Sequence, residues 1–351
     1  MRRSIKLGIS SDLTNFRAPF RGTELASEFD LIAQCFAPLA GPEGLGLKDD
    51  AALFQPTPGT ELVYTVDAMA SGVHFLPNEA PEIVAKRLIR MNISDLAAKG
   101  AKPRGYLLTV ALPHDLDIAW VQAFAKGLGE DQEAFGFKVI GGDTISTPGP
   151  LVLSLTAIGE VRQGRMIRRA GARAGDDLYV TGTIGDAAFG LEVAKGAHQS
   201  ASEADKDYLE GRFRLPTPRL NFGQMLATEA IATAAADVSD GLLADAGHIG
   251  VASGLDIEVI ANSVPLSDPT RRIVASDNRL ADAITGGDDY EIVFTAPTDC
   301  RQMIKTVSTK QGLQATRIGR AVEMLGDKPA VRFIGEDGAA IKLKHLGYRH
   351  R

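Results

Sequence analysis

The chain has 351 residues, 44% hydrophobic and 23% charged, enough apolar material for about two globular domains, which excludes disorder as the main state. A net charge of −6 offers no basic face to nucleic acid, and two cysteines, Cys35 and Cys300, cannot build a disulfide framework or a Cys-x-x-Cys zinc site. No apolar run reaches membrane-spanning length, and the start, MRRSIKLGIS, lacks a signal peptide's apolar stretch; the expectation is a cytoplasmic protein that binds neither nucleic acid nor membrane.

Residues 1–26 mix Ser, Arg and Pro without periodicity and read as a flexible extension. Thr23 or Ser27 could cap a helix running to about residue 37, and the Gly/Pro-rich GPEGLGLKDD at 41–50 is a turn. Short strands are expected at 52–54 and 62–66. Pro81, at the first helical position, opens a helix that Gly100 stops. A strand at 104–112, a helix at 117–135, a short strand at 138–140 ending in GGDT, and a strand at 151–161 follow. The basic, Gly-rich stretch 162–177 reads as a linker. Beyond it come a strand at 178–181, helices at 185–196, from Pro216 to about 235 and at 240–253, and strands at 256–259 and 290–295. A helix at 300–311 and strands at 317–322 and 330–333 complete the series. Helices and strands mix without strict alternation, so the expected class is mixed α/β (α+β), with domains at 27–161 and 162–351.

In the helix at 81–100, Val84, Leu88 and Met91 fall within about 60° of one another, at 100° per residue. Asp95 lies in the middle of that stripe with Asn92 beside it, and Arg87, Arg90 and Ser94 lie on the opposite, polar arc. A carboxylate pointed inward needs a metal, a cation or several donors. A helix-end aspartate with a structural arginine partner satisfies the same pattern, and periodicity does not separate the two. Further aspartates sit beside glycines or small residues at expected strand ends and helix starts: Asp49 and Asp50, Asp67, Asp143, Asp237 and Asp240, Asp288 and Asp289. Singly, each reads as a turn residue. Together they offer the several carboxylate oxygens that Mg²⁺ requires, beside glycines that let a phosphate approach the backbone. The chain has no P-loop, no G-x-G-x-x-G after a strand, no H-E-x-x-H and no G-x-S-x-G. His74 in SGVHF reads, on residues alone, as packed more readily than as a ligand contact.

SEFDLIA, DDAAL at 49–53, TVDAMASGVHF at 65–75, NISDLAAKGAKP at 92–103, GGDT at 141–144, DVSDGL at 237–242 and GGDDYE at 286–291 occur in this order. In that arrangement the chain resembles the thiamine-monophosphate kinases, a family of the aminoimidazole-ribonucleotide-synthetase-like ATP-binding superfamily, over about residues 27–348. The resemblance implies an N-terminal ATP- and Mg²⁺-binding domain whose sheet pairs with a second copy in a homodimer, followed by a C-terminal α/β domain. It implies direct transfer of the γ-phosphate of ATP to the phosphate of thiamine monophosphate at several Mg²⁺ ions. By motif, Asp50, Thr65, Val66 (through its carbonyl), Asp67, Asp95, Asp143, Asp237 and Asp240 would be metal ligands. Gly142, Asp143, Arg169 and Ser239 would contact ATP, and His74, Asp288 and His345 the thiamine phosphate. No dedicated general base is implied, since the acceptor phosphate is already nucleophilic near neutral pH. The chain departs from the family at Lys48, where glycine is usual, at Val66, which has no hydroxyl, at Asp288, where glutamate is usual, and at His345, where an aromatic is frequent. The alternatives are another enzyme of the superfamily, such as a purine-pathway synthetase, or an inactive nucleotide-binding module.

Overall fold

The computed structural model describes residues 28–348; the expected extension at 1–26 and the candidate caps Thr23 and Ser27 lie outside the described residues. Helix α1 (Glu28–Leu31) runs on through a π turn at Ile32–Phe36 and a 3-10 turn at Ala37–Leu39. The 41–50 segment winds into 3-10 turns over Pro42–Leu47. No strand forms at 52–54: the Leu53 amide donates to the Glu43 carbonyl at 2.9 Å, back to the turn and not to a sheet.

The first sheet holds β1 (Thr60–Ala70), β2 (Lys102–Pro113), β3 (Lys138–Thr147) and β4 (Val152–Arg162) in the order β1-β4-β2-β3. Only β2 and β3 run parallel. Helices α2 (Pro81–Ala98) and α3 (Ile118–Phe135) accompany it, α2 lying against β1, β2 and β4 and α3 against α2. Both edge strands are longer than their sequences suggest. β1 continues through Asp67 and β3 passes straight through GGDT, because each is paired along its length with its inner neighbour, β4 and β2. Gly142 is required within β3: a Cβ there would lie 1.8 Å from the Leu108 carbonyl oxygen of β2.

The second sheet holds β5 (Asp177–Thr181), β6 (Ala234–Asp237), β7 (Asp256–Ile260), β8 (Ile292–Ala296), β9 (Ala315–Val322) and β10 (Val331–Ile334), ordered β10-β7-β9-β5-β8-β6. Around it lie α4 (Asp186–Ala194), α5 (Glu203–Arg214), α6 (Leu220–Thr228), α7 (Leu242–Ser253), α8 (Asp268–Asp277), α9 (Leu280–Thr285) and α10 (Arg301–Gln311). The helix expected to reach about residue 235 stops at Thr228. Ala234, Ala235 and Ala236 are strand, because Ala235 pairs with Phe294 inside the core and that pairing overrides alanine's helical preference. α5, α8 and α9 are additions to the expected elements.

Apolar side chains from both halves meet: Met69, Leu88 and Leu155 belong to the same buried cluster as Phe222, Phe294 and Ile304. Helix α2 lies between them. Its expected polar arc is a correction, since Arg87 and Ser94 are 2% and 1% exposed. α5, α6 and β6 cover the side that the pattern assigns to solvent. Among the described residues, no helix is long and apolar enough to cross a membrane.

Candidate active site

Along β1, Val63, Thr65, Asp67 and Met69 share one face of the sheet, and Tyr64, Val66 and Ala68 share the other. The first set meets α2. The Thr65 hydroxyl donates to Asp95 Oδ2 at 2.5 Å, and the Asp67 amide donates to Asn92 Oδ1 at 3.2 Å. One step along the helix, the Ser94 hydroxyl donates to Asp237 Oδ2 at 2.9 Å, joining α2 to the end of β6. The loop that follows is held by one buried carboxylate: Asp245 Oδ2 accepts from the amides of Ser239 and Asp240 at 3.0 Å and of Gly241 at 3.2 Å. Thr65, Asp67, Asp95, Asp237 and Asp240 therefore gather from both halves of the chain.

Burial, with the charges of Asp95 and Asp240, pushes Asp67 up to about 6. Burial, with Asp95 and Asp245, raises Asp237 well above the usual carboxylate range, and burial with Asp240 lifts Asp245 to about 7. Among the described residues, Asp67, Asp95, Asp237 and Asp240 make no ion pair. An all-oxygen set of mutually repelling carboxylates fits hard divalent cations such as Mg²⁺. Lys99 stands nearby with Nζ donating to the Ala235 carbonyl at 2.8 Å; burial lowers its pKa while Asp237 and Asp95 oppose that. Arg169 faces the same place from the stretch between the sheets, and its charge acts to lower the pKa of both Lys99 and Asp245.

Asp50, Gly142 and Asp143 are elsewhere. They line a cavity of about 750 Å³ with Phe54, Leu107 and Thr109, on the other face of the first sheet. Across that sheet Asp67 pairs with Leu155, Leu155 with Leu108, and Leu108 with Gly142, so Asp143, one residue on, points away from α2. Three strand spacings, about 14 Å, separate the Asp67 and Asp143 backbones. Within one chain the expected ligands thus form two groups, not one.

Beyond the first group lie His74 and Asp288. His74 Nδ1 accepts from the Ala70 amide at 3.1 Å. Asp288 has φ of +74°, which a non-glycine residue rarely adopts, and its Oδ1 accepts from the Tyr290 hydroxyl at 3.2 Å. Its neighbours in GGDDYE anchor it. The Asp289 carboxylate accepts from the Gly185 and Ala187 amides at 2.7 and 3.1 Å, at the start of α4. The buried Glu291 pairs with Arg212 at 2.8 Å, with Arg219, and accepts from Thr181 at 2.7 Å. His345 is exposed on the final segment, which returns to the loop through the Tyr348 amide, donating to the Asp240 carbonyl at 2.8 Å.

Of the departures, Lys48 has φ of −112° and is exposed, so the backbone there accommodates a side chain. Val66 projects from the face opposite Asp95, 60% exposed, so its missing hydroxyl costs the first group nothing. Sequence reasoning missed Asp245 and Arg87. An aspartate in a first helical turn after the glycine of DVSDG is a signal for the former; the latter's partners are too remote in sequence to leave one.

Two α/β halves with carboxylates gathered where they meet define a protein of the AIR synthase related class. The chain matches the N-terminal domain of AIR synthase related proteins over residues 48–161 and their C-terminal domain over 173–330. A thiamine-monophosphate kinase of Caulobacter vibrioides is 41% identical over 331 residues, spanning 92% of this chain and 91% of its own length. The crystal structure of the thiamine-monophosphate kinase of Stenotrophomonas maltophilia K279a is 40% identical, with a TM-score of 0.74 over 84% of this chain and 91% of that one. AaThiL complexed with AMPPCP and TMP is 31% identical, with a TM-score of 0.72 over 86% of this chain and 91% of its own. The chain belongs to the thiamine-monophosphate kinase family.

Proposed function

We propose that the protein transfers the γ-phosphate of ATP to the phosphate of thiamine monophosphate, giving thiamine diphosphate and ADP. The observation that carries this is the convergence of Thr65, Asp67, Asp95, Asp237 and Asp240, with His74 and Asp288 beyond them, in a chain similar over most of its length to kinases of that name. An oxygen of the acceptor phosphate attacks the γ-phosphorus in line with the departing ADP oxygen, so positioning and charge neutralisation supply the catalysis. The acceptor is an anion near neutral pH, and no side chain need remove a proton from it. His74 and Asp288 hold the acceptor; Gly142, Asp143, Arg169 and Ser239 hold ATP. Thr65, the Val66 carbonyl, Asp67, Asp95, Asp237, Asp240, Asp50 and Asp143 are the ligands for several Mg²⁺ ions. Those ions, when bound, screen the triphosphate from the incoming phosphate.

The division of these ligands into two groups supports a homodimer as the working form. The face of the first sheet that carries Asp143 also exposes Tyr64, Val66, Leu107, Ile145 and Val152, an apolar surface that suits burial against a second copy. In a homodimer paired through that face, Asp50 and Asp143 of one copy complete the carboxylate set of the other. The proposed place of the reaction is the cytoplasm. The test is turnover: with ATP, Mg²⁺ and thiamine monophosphate, the purified protein should form thiamine diphosphate and ADP in equal amounts. ATP hydrolysis without thiamine diphosphate, or no turnover, overturns the reading.

A further inference from the structure

Arg87 is outside every motif named above, yet it holds both ends of the acceptor pocket. Its side chain is 3% exposed, and each guanidinium nitrogen addresses a different segment. Nε donates to the His74 carbonyl at 3.1 Å, in the turn after β1. One terminal nitrogen donates to the Phe213 carbonyl at the end of α5. The other pairs with Asp288 Oδ2 at 2.9 Å. The guanidinium plane lies over the Phe213 ring, 4.6 Å from its centroid. The Asp288 carboxylate remains 33% exposed, so its inner edge is fixed while its outer edge is open. With Tyr290 donating to Oδ1, both oxygens are oriented in a residue whose backbone sits in the left-handed region.

We infer that Arg87 is a positioning residue for the acceptor: it sets the distance and angle between the His74 turn and the Asp288 carboxylate. This rests on the reading that those two residues hold thiamine monophosphate. The rigid fork of arginine is what the task needs. A lysine keeps the charge but, with a single nitrogen on a flexible stem, cannot hold this planar fork across all three segments. The ATP side has supports of its own, Ser239 through Asp245 and Gly142 through β2, while the Ser239 carbonyl also accepts from the Asp288 amide at 2.9 Å.

The experiment is steady-state kinetics of the full-length Arg87→Lys and Phe213→Leu variants with each substrate varied in turn. Arg87→Lys should raise KM for thiamine monophosphate about tenfold or more, with kcat and KM for ATP within about twofold to threefold. Phe213→Leu keeps the carbonyl and removes the ring; it should raise the same KM by about threefold, and it carries the test if the lysine variant does not fold. In an Asp288→Asn background the lysine substitution should add less than it does alone. Unchanged KM for thiamine monophosphate in both variants overturns the inference, as does an equal rise in both KM values, which marks a general loosening. Wild-type protein that forms no thiamine diphosphate overturns the parent reading instead.

Discussion

The two sheets solve burial differently. Every residue of β5, β6 and β8 is buried, and the second sheet has helices to spare. The first sheet is dressed with helices on one face only, and its other face leaves Tyr64 and Val66 61% and 60% exposed. Its carboxylates divide along the same line: Asp67 looks inward towards α2 and is pushed up to about 6, while Asp143 looks outward. The first sheet thus carries carboxylates on both faces, Asp67 on the covered one with Asp95 and Asp240 of the same chain, and Asp143 on the bare one.

The largest expected effect tests that division directly. Asp67→Asn and Asp143→Asn should each cost at least a hundredfold in kcat, about 3 kcal/mol, because a hard cation needs the carboxylate. Mixed in equal amounts, with subunits exchanged, the two dead variants should recover about a quarter of wild-type activity. Half of the random dimers are then mixed, and each has one intact site. No recovery above the parents would mean that both residues serve a site within one chain. Next, Tyr64→Asp on the open face should shift light-scattering mass towards the monomer and lower activity more than about tenfold. Val251→Asp, on α7 and 64% exposed, should leave both unchanged. If Tyr64→Asp remains dimeric, the bare face is not the interface.

Smaller effects concern the inward cluster alone. Asp95→Asn should raise the metal-free Tm by about 2 °C by relieving repulsion, and shrink the further rise given by Mg²⁺ and ATP. A lower metal-free Tm with the ligand shift intact would make Asp95 a helix-end residue serving only Thr65. Last is the pH dependence without metal. Asp67 and Asp245 bind protons more tightly folded than unfolded, with values of about 6 and about 7. Their stabilising contribution is present below about pH 4 and is lost as pH rises through those values, on the order of a few kcal/mol for each group. Metal-free melts should fall from pH 5 to 8, and saturating Mg²⁺ with ATP should flatten the fall. A rise across that range would contradict the crowding of these carboxylates.

Much of the fold was legible where one residue type has one job. Pro81 and Gly100 bracket α2, and Asp117 caps α3 by accepting from the Ala119 amide at 2.9 Å. The stripe of Val84, Leu88 and Met91 is buried, and Asp95, half-buried at its end, meets Thr65 of β1. Legibility failed where distant partners decide. Asp67 and Asp143 look like strand ends, but edge strands carry them. EADKDYLEGRFR has too few apolar residues to announce a helix, and α5 exists because Leu209 and Phe213 are buried and Arg212 and Arg214 are paired. Arg87 was assigned to solvent because nothing local reveals that another half of the chain covers it. The motifs gave the candidate ligands, but their partition between two faces depends on β2 and β3 running side by side, which no spacing records.

The way α2 is walled in on both sides also governs how the molecule comes apart. Its Leu88 joins a cluster that includes side chains as far along the chain as Ile304 and Val307, so neither sheet can lose order without baring the same surface. Calorimetry of the metal-free protein should therefore record one endotherm, with no separate event for either half. A protease that cuts the strandless stretch between β4 and β5 would leave two fragments that still sediment as one particle.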